Sequence, residues 1–175
     1  MPTPTMTQLR FFILSLLLCL VSSFAADSSE SLYDASTAQK LDPAKLSVFG
    51  PEAGKFKYDA RMIRAAEIAQ ERARSRSTSR CWRYVKTALL ASNTIDSYPG
   101  TTYAKQAGTE LATNYGFRKI QVSDPYKAPI GAVLVYGGRG PGHVEIRTEV
   151  GFVSDFKSEK PSLRPLIGVY VKPPA

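Results

Sequence analysis

The chain has 175 residues, 43% of them hydrophobic, which suits one domain with a proper core and is too short for two. Lys and Arg number 23 against 15 Asp and Glu, a formal net charge of +8 that favours an anionic partner such as a cell wall or an anionic membrane surface. The composition holds two cysteines and one histidine, too few for a zinc-ligand set unless two acids stand in register with them, and no nucleic-acid-binding motif is present.

Residues 1–25 read as a signal peptide. A short polar region ends at Arg10, an apolar run fills 11–21, and Ser23 and Ala25 supply small residues before a cleavage point after Ala25. The apolar run is short for a membrane span and lacks a basic stop-transfer flank, so no stable membrane insertion is expected after cleavage. Cys19 falls in the discarded run, because Leu18 stands where a lipoprotein signal would carry a small residue. The expected location is the periplasm or the medium, and export further disfavours nucleic acid as a partner. Cleavage removes one charged residue, Arg10, and leaves 22 basic against 15 acidic side chains. It also leaves Cys81 without a second cysteine in an oxidising compartment.

Residues 26–57 contain Ser, Asp and Pro with little periodicity and read as a flexible leader, with Leu46, Val48 and Phe49 available to pack on the domain that follows. The domain is placed at 58–175. Asp59 can cap a first helix, in which Met62, Ala65, Ala66 and Ala69 fall at helical spacing. Residues 75–80 break the pattern. Ser79 then reads as the N-cap of a second helix carrying Cys81, Trp82, Tyr84, Val85, Ala88 and Leu89. A third helix is expected from Thr101 or Thr102 through Ala104, Ala107, Leu111 and Ala112, with Gly116 as its stop.

Beyond Gly116 the pattern turns to strands. Residues 117–122 alternate, 124–129 form a loop with two prolines, and 131–136 are an apolar run fit for a buried strand. Residues 137–142 are a glycine-dense turn. They lack the lysine of a phosphate loop, and a strand follows them where such a loop would open a helix. Residues 143–148 and 152–156 read as a hairpin, and 167–171 as a last strand. Helices first and an antiparallel sheet after them define an α+β domain.

Chemistry concentrates on Cys81 and His143. In the first turn of a helix, free backbone N–H groups and the positive end of the dipole stabilise a thiolate, and Arg80 and Arg83 add positive charge. A small buried apolar residue at the head of the helix stripe is the plain alternative for Cys81. On the expected strand His143 and Glu145 share one face, while Val144 and Ile146 face the core. A hairpin turn near 149–150 makes paired positions sum to about 298 or 299 and sets His143 opposite Asp155 or Phe156. Asp155 is then the neighbour that could orient the imidazole, with Glu145, two residues along, as the competitor.

These segments resemble a known group. Residues 79–86, Ser-Arg-Cys-Trp-Arg-Tyr-Val-Lys, are similar to the nucleophile helix of the papain-like cell-wall hydrolases, the CHAP family and its NlpC-type relatives. Residues 129–136 resemble the strand before their histidine, although Ala132 stands where an acid is frequent. Gly-His-Val-Glu-Ile at 142–146 resembles the histidine motif, and Val-Ser-Asp-Phe at 153–156 the strand carrying a polar third residue.

The resemblance covers about residues 60–171. It implies Cys81 as nucleophile, His143 as general base and Asp155 as the orienting residue. It also implies hydrolysis of peptidoglycan amide bonds by a monomer without a metal or other cofactor. Ser79, Arg80, Trp82, Tyr84 and Glu145 become candidates to line the substrate cleft, with Ser79 also a candidate second oxyanion donor. Helical spacing equally suits Trp82 or Tyr84 to the core. A papain-like protease or acyl transferase with another substrate, and an inactive wall-binding module, remain open at this point.

Overall fold

In the computed structural model, which describes residues 56–174, three helices and one antiparallel sheet close on a shared apolar core. The expected signal peptide and nearly all of the leader segment lie outside the described residues. No described helix is long and apolar enough to cross a membrane.

Helix α1 is Arg61–Arg72. It buries Met62, Ile63, Ala65, Ala66, Ile68 and Ala69, and its three alanines let the backbone approach its neighbours closely. The residue at its N-cap is Ala60, one beyond the expected Asp59. Asp59 instead accepts the Arg61 backbone N–H at 2.9 Å and grips the Arg61 guanidinium. Helix α2 is Cys81–Ala91 and buries Trp82, Val85, Lys86, Ala88 and Leu89. The third helix starts later than expected. Tyr103 is extended, a 3₁₀ turn occupies Ala104–Gln106, and α3 runs over Ala107–Tyr115. Gly116 closes it in the left-handed conformation, φ +70°, with its N–H on the Leu111 carbonyl.

The strands are β1 (Arg118–Ile120), β2 (Val133–Tyr136), β3 (His143–Thr148), β4 (Gly151–Val153), β5 (Lys157–Ser158) and β6 (Leu166–Val171). They form one antiparallel sheet in the order β1-β6-β2-β3-β4-β5. The domain is therefore α+β, helices first and sheet after. Val133 pairs with Ile146 and Val135 with Val144 across β2 and β3, and all four are fully buried.

Two glycines fix how the helices meet the sheet. At Gly131 φ is +88°, and a Cβ there would sit 2.7 Å from the carbonyl of Met62 in α1. At Gly142, φ +77°, a Cβ would come within 2.5 Å of the Tyr136 carbonyl oxygen and 2.7 Å of Lys105 Cβ. The Lys105 N–H donates to the Pro141 carbonyl at 3.0 Å, so the 3₁₀ turn before α3 is seated beside the start of β3.

Candidate active site

Cys81 is the first residue of α2, as its sequence context suggested, and is a partly exposed free thiol. The backbone before it is unusual. Ser79 is left-handed, φ +58°, and the N-cap is Arg80, which makes no side-chain cap. A serine in that region is uncommon and persists only where its surroundings hold it. Those surroundings are a carboxylate from the far side of the sequence. Oδ2 of Asp155 accepts the backbone N–H groups of Thr78 and Arg80, the latter at 3.2 Å. The same oxygen takes the hydroxyls of Thr78 at 3.0 Å and Ser77 at 3.3 Å. Ser154 Oγ donates to the other oxygen at 3.2 Å. Burial alone would raise the pKa of Asp155, but these donors outweigh it and hold the pKa below the usual carboxylate value.

This arrangement corrects the expected placement of Asp155 against His143. Strands β3 and β4 pair with residue numbers summing to 299, as in Ile146 with Val153, which lies within the expected register. The ladder stops at Val153, however, because the Ser154 N–H turns to the Phe156 carbonyl. The chain bends there, and Asp155, fully buried, faces the loop before Cys81. Ser79 likewise does not cap α2. Its N–H bonds to Ser77 Oγ at 3.3 Å.

His143 begins β3, directly across from Tyr136. Its Nε2 lies 3.2 Å from Oε2 of Glu145, two residues along the same strand, and Cys81 is near enough to raise the proton affinity of the ring. With Nε2 engaged by the carboxylate, Nδ1 is the nitrogen left for the thiol. Burial lowers the pKa of the ring, but the hydrogen bonds and charges of Cys81 and Glu145 reverse that and push it up to about 9. Glu145 is 3% exposed. Its other oxygen, Oε1, accepts the Tyr136 hydroxyl at 2.5 Å and the Ser162 N–H at 3.3 Å. The arrangement thus joins a thiol at a helix N-terminus, an imidazole and a buried carboxylate, the parts needed to move a proton off and onto a nucleophilic sulfur.

Next to Cys81 in sequence, Trp82 anchors a buried polar network that the sequence pattern does not reveal. Trp82, 4% exposed, belongs to the core, and its Nε1–H donates to Thr101 Oγ1 at 3.1 Å. Thr101 Oγ1 in turn donates to Glu110, whose carboxylate also accepts the N–H groups of Gly100, at 2.5 Å, and Thr101. Lys86 is buried, with Nζ on the carbonyls of Pro99 at 2.7 Å and Thr101 at 2.5 Å, and it stands 5.0 Å from the Trp82 ring centroid and 5.1 Å from that of Tyr98. Burial lowers the pKa of Lys86, while Glu110 opposes the shift. This network ties residues 99–101 to α2 and α3, and Tyr98 and Tyr103 stay half exposed. The sequence signal was Lys86 itself, a charge placed at i+4 from Trp82 on a helix face that also holds Leu89.

The other sequence candidates spread around the thiol. Tyr84 is half-buried, with its hydroxyl accepting Arg74 Nε at 2.7 Å. Arg80 is exposed, as are Arg72, Arg74, Arg76 and Arg83. Among the described residues no group of three or more His, Cys, Asp and Glu side chains could hold a metal ion.

No family model matches the sequence, and no curated protein matches it significantly. Among solved structures, a chain of the type VI native effector–immunity complex Tae3–Tai3 from Ralstonia pickettii is similar, with a TM-score of 0.50 and 24% identity over 67% of this chain and 99% of that one. A chain of the selenomethionine form of that complex gives a TM-score of 0.48 and 26% identity over 62% of this chain and 97% of the other. The first likeness concerns the α+β fold.

Proposed function

We propose that this chain is an exported cysteine hydrolase that cleaves amide bonds of peptidoglycan, as a stem-peptide endopeptidase or an amidase. The observation that carries the reading is the Cys81–His143–Glu145 set, with the thiol on the first residue of α2 and near an imidazole that a buried carboxylate holds. The resemblance of residues 79–86, 129–136 and 142–146 to the CHAP and NlpC-type hydrolases supplies the substrate class.

In this mechanism His143 holds the proton of Cys81, and the thiolate attacks the amide carbonyl. The Cys81 N–H, in the first helical turn and without an intrahelical acceptor, faces the developing oxyanion. The imidazolium passes its proton to the leaving amine, and water activated by the neutral ring clears the thioester. Glu145 keeps the ring oriented and stabilises its charged form. Asp155 serves the nucleophile from behind, as the acceptor that shapes residues 77–80. The exposed arginines at 72–83 favour approach of the carboxylates of stem peptides.

The test is digestion of purified sacculi followed by separation of the soluble products and identification of the newly freed amines. Release by the native protein and none by Cys81→Ala is the expected result. No new amine from any sacculus type with the native protein would overturn the substrate assignment.

A further inference from the structure

We infer that Tyr136 is a positioning residue of the site, its hydroxyl locking the Glu145 carboxylate in the rotamer that meets His143. This rests on the Cys81–His143–Glu145 reading and extends it by one member. Glu145 divides its two oxygens. Oε2 goes to His143, and Oε1 is taken by the Tyr136 hydroxyl at 2.5 Å and the Ser162 N–H at 3.3 Å. Of the two donors on Oε1 the Tyr136 hydroxyl is much the shorter, at 2.5 Å against 3.3 Å, so it does most to hold the carboxylate against rotation about its last torsion.

The backbone is built to deliver this hydroxyl. Tyr136 is the last residue of β2, directly opposite His143, with the two ring centroids 6.1 Å apart. The pairing of β2 with β6 slips between Val135 and Tyr136, an irregularity of the kind that re-aims a side chain. The ring is 1% exposed, among the largest fully buried side chains, so its hydroxyl has no water to turn to. Burial and the neighbouring Glu145 push the phenol far above its ordinary pKa, so it stays a donor across the working pH range. Gly142 closes the arrangement, since any Cβ there would strike the Tyr136 carbonyl.

Tyr136→Phe removes one oxygen and keeps the ring. Because the chain has a single histidine, the imidazole proton signals in NMR report His143 directly and need no substrate. The expected result is a downward move of the His143 midpoint from about 9. Turnover on sacculi should fall about tenfold with KM unchanged, the loss of one hydrogen bond to a charged group. In a Glu145→Gln background the same substitution should change neither readout further. A midpoint and turnover unchanged in Tyr136→Phe would overturn the inference. So would a lowered melting temperature with an unmoved midpoint, or an equal further loss in the Glu145→Gln background. If the native protein fails on every sacculus, the peptidoglycan reading falls while the NMR comparison still decides the role of Tyr136.

Discussion

Removing the sulfur of Cys81 should change the proton affinity of the His143 imidazole. Moving a histidine from 6.5 to about 9 corresponds to roughly 3 kcal/mol of preference for the imidazolium. That preference survives a burial penalty of opposite sign and comes from Cys81 and Glu145 together, with the Cys81 hydrogen bond the largest favourable contribution. In Cys81→Ala only Glu145 remains to oppose burial. The His143 midpoint should therefore fall by about one pH unit or more, the size expected when one close hydrogen-bonding, charged partner is lost.

The assay is the chemical shift of the His143 ring carbon-bound protons followed from pH 5 to pH 10, at roughly half-unit steps. Assignment is immediate because no other histidine is present. A native midpoint near 6.5 would refute the reasoning, as would a Cys81→Ala variant still titrating at about 9. The kinetic corollary follows from the sign. In the proposed reaction the leaving amine takes its proton from the imidazolium, which is present below about 9, so turnover should hold up to that pH and decline above it. Glu145→Gln should bring that decline to lower pH.

Other outcomes are specific enough to check. Asp155→Ala should lower unfolding stability by about 1–3 kcal/mol in a urea titration, since it strips the acceptor from two backbone N–H groups, and Asp155→Asn should cost less. Because the folded state depresses the pKa of Asp155, its contribution is present above about 3.8 and lost as pH falls through the lower folded value, so Asp155→Asn should show a shallower acid limb of stability. Gly131→Ala should fold poorly or melt several degrees lower by circular dichroism, because φ is +88° and the added methyl would meet the Met62 backbone. Glu110→Gln should red-shift the emission of the single tryptophan, as the Thr101 hydroxyl on Trp82 loses its anchor. An unmoved spectrum would mean that Glu110 does not hold that network.

Much of this fold was legible along the chain because local patterns and burial agree. The alanine-rich stripe of α1, Cys81 in the first turn of α2, the Gly116 stop and the strand at His143–Thr148 all follow from periodicity and turn chemistry. The third helix starts later than its spacing suggests, because helical spacing does not distinguish a 3₁₀ turn from an α-helical start. Asp155 shows where sequence reasoning runs out. The register sum was within reach, yet the length of β4 was not, and a ladder that ends at Val153 sends the next carboxylate elsewhere. Its partners in the loop before Cys81 lie 75 to 78 residues away, beyond any local rule. The same holds for Tyr136 and Glu145, whose meeting depends on how two strands pair.

The clasp on the loop before Cys81 also imposes an order in time. Ribosomal synthesis completes the thiol long before it reaches the carboxylate, since 74 positions separate Cys81 from Asp155. A nascent chain carries the sulfur without the acceptor that shapes the backbone before it. Asp155 directly follows the β3–β4 hairpin that carries His143, so residues 77–80 gain their acceptor from the same stretch of chain. The shape of the loop before Cys81 and the placement of His143 thus both depend on one stretch of the chain, residues 143–155.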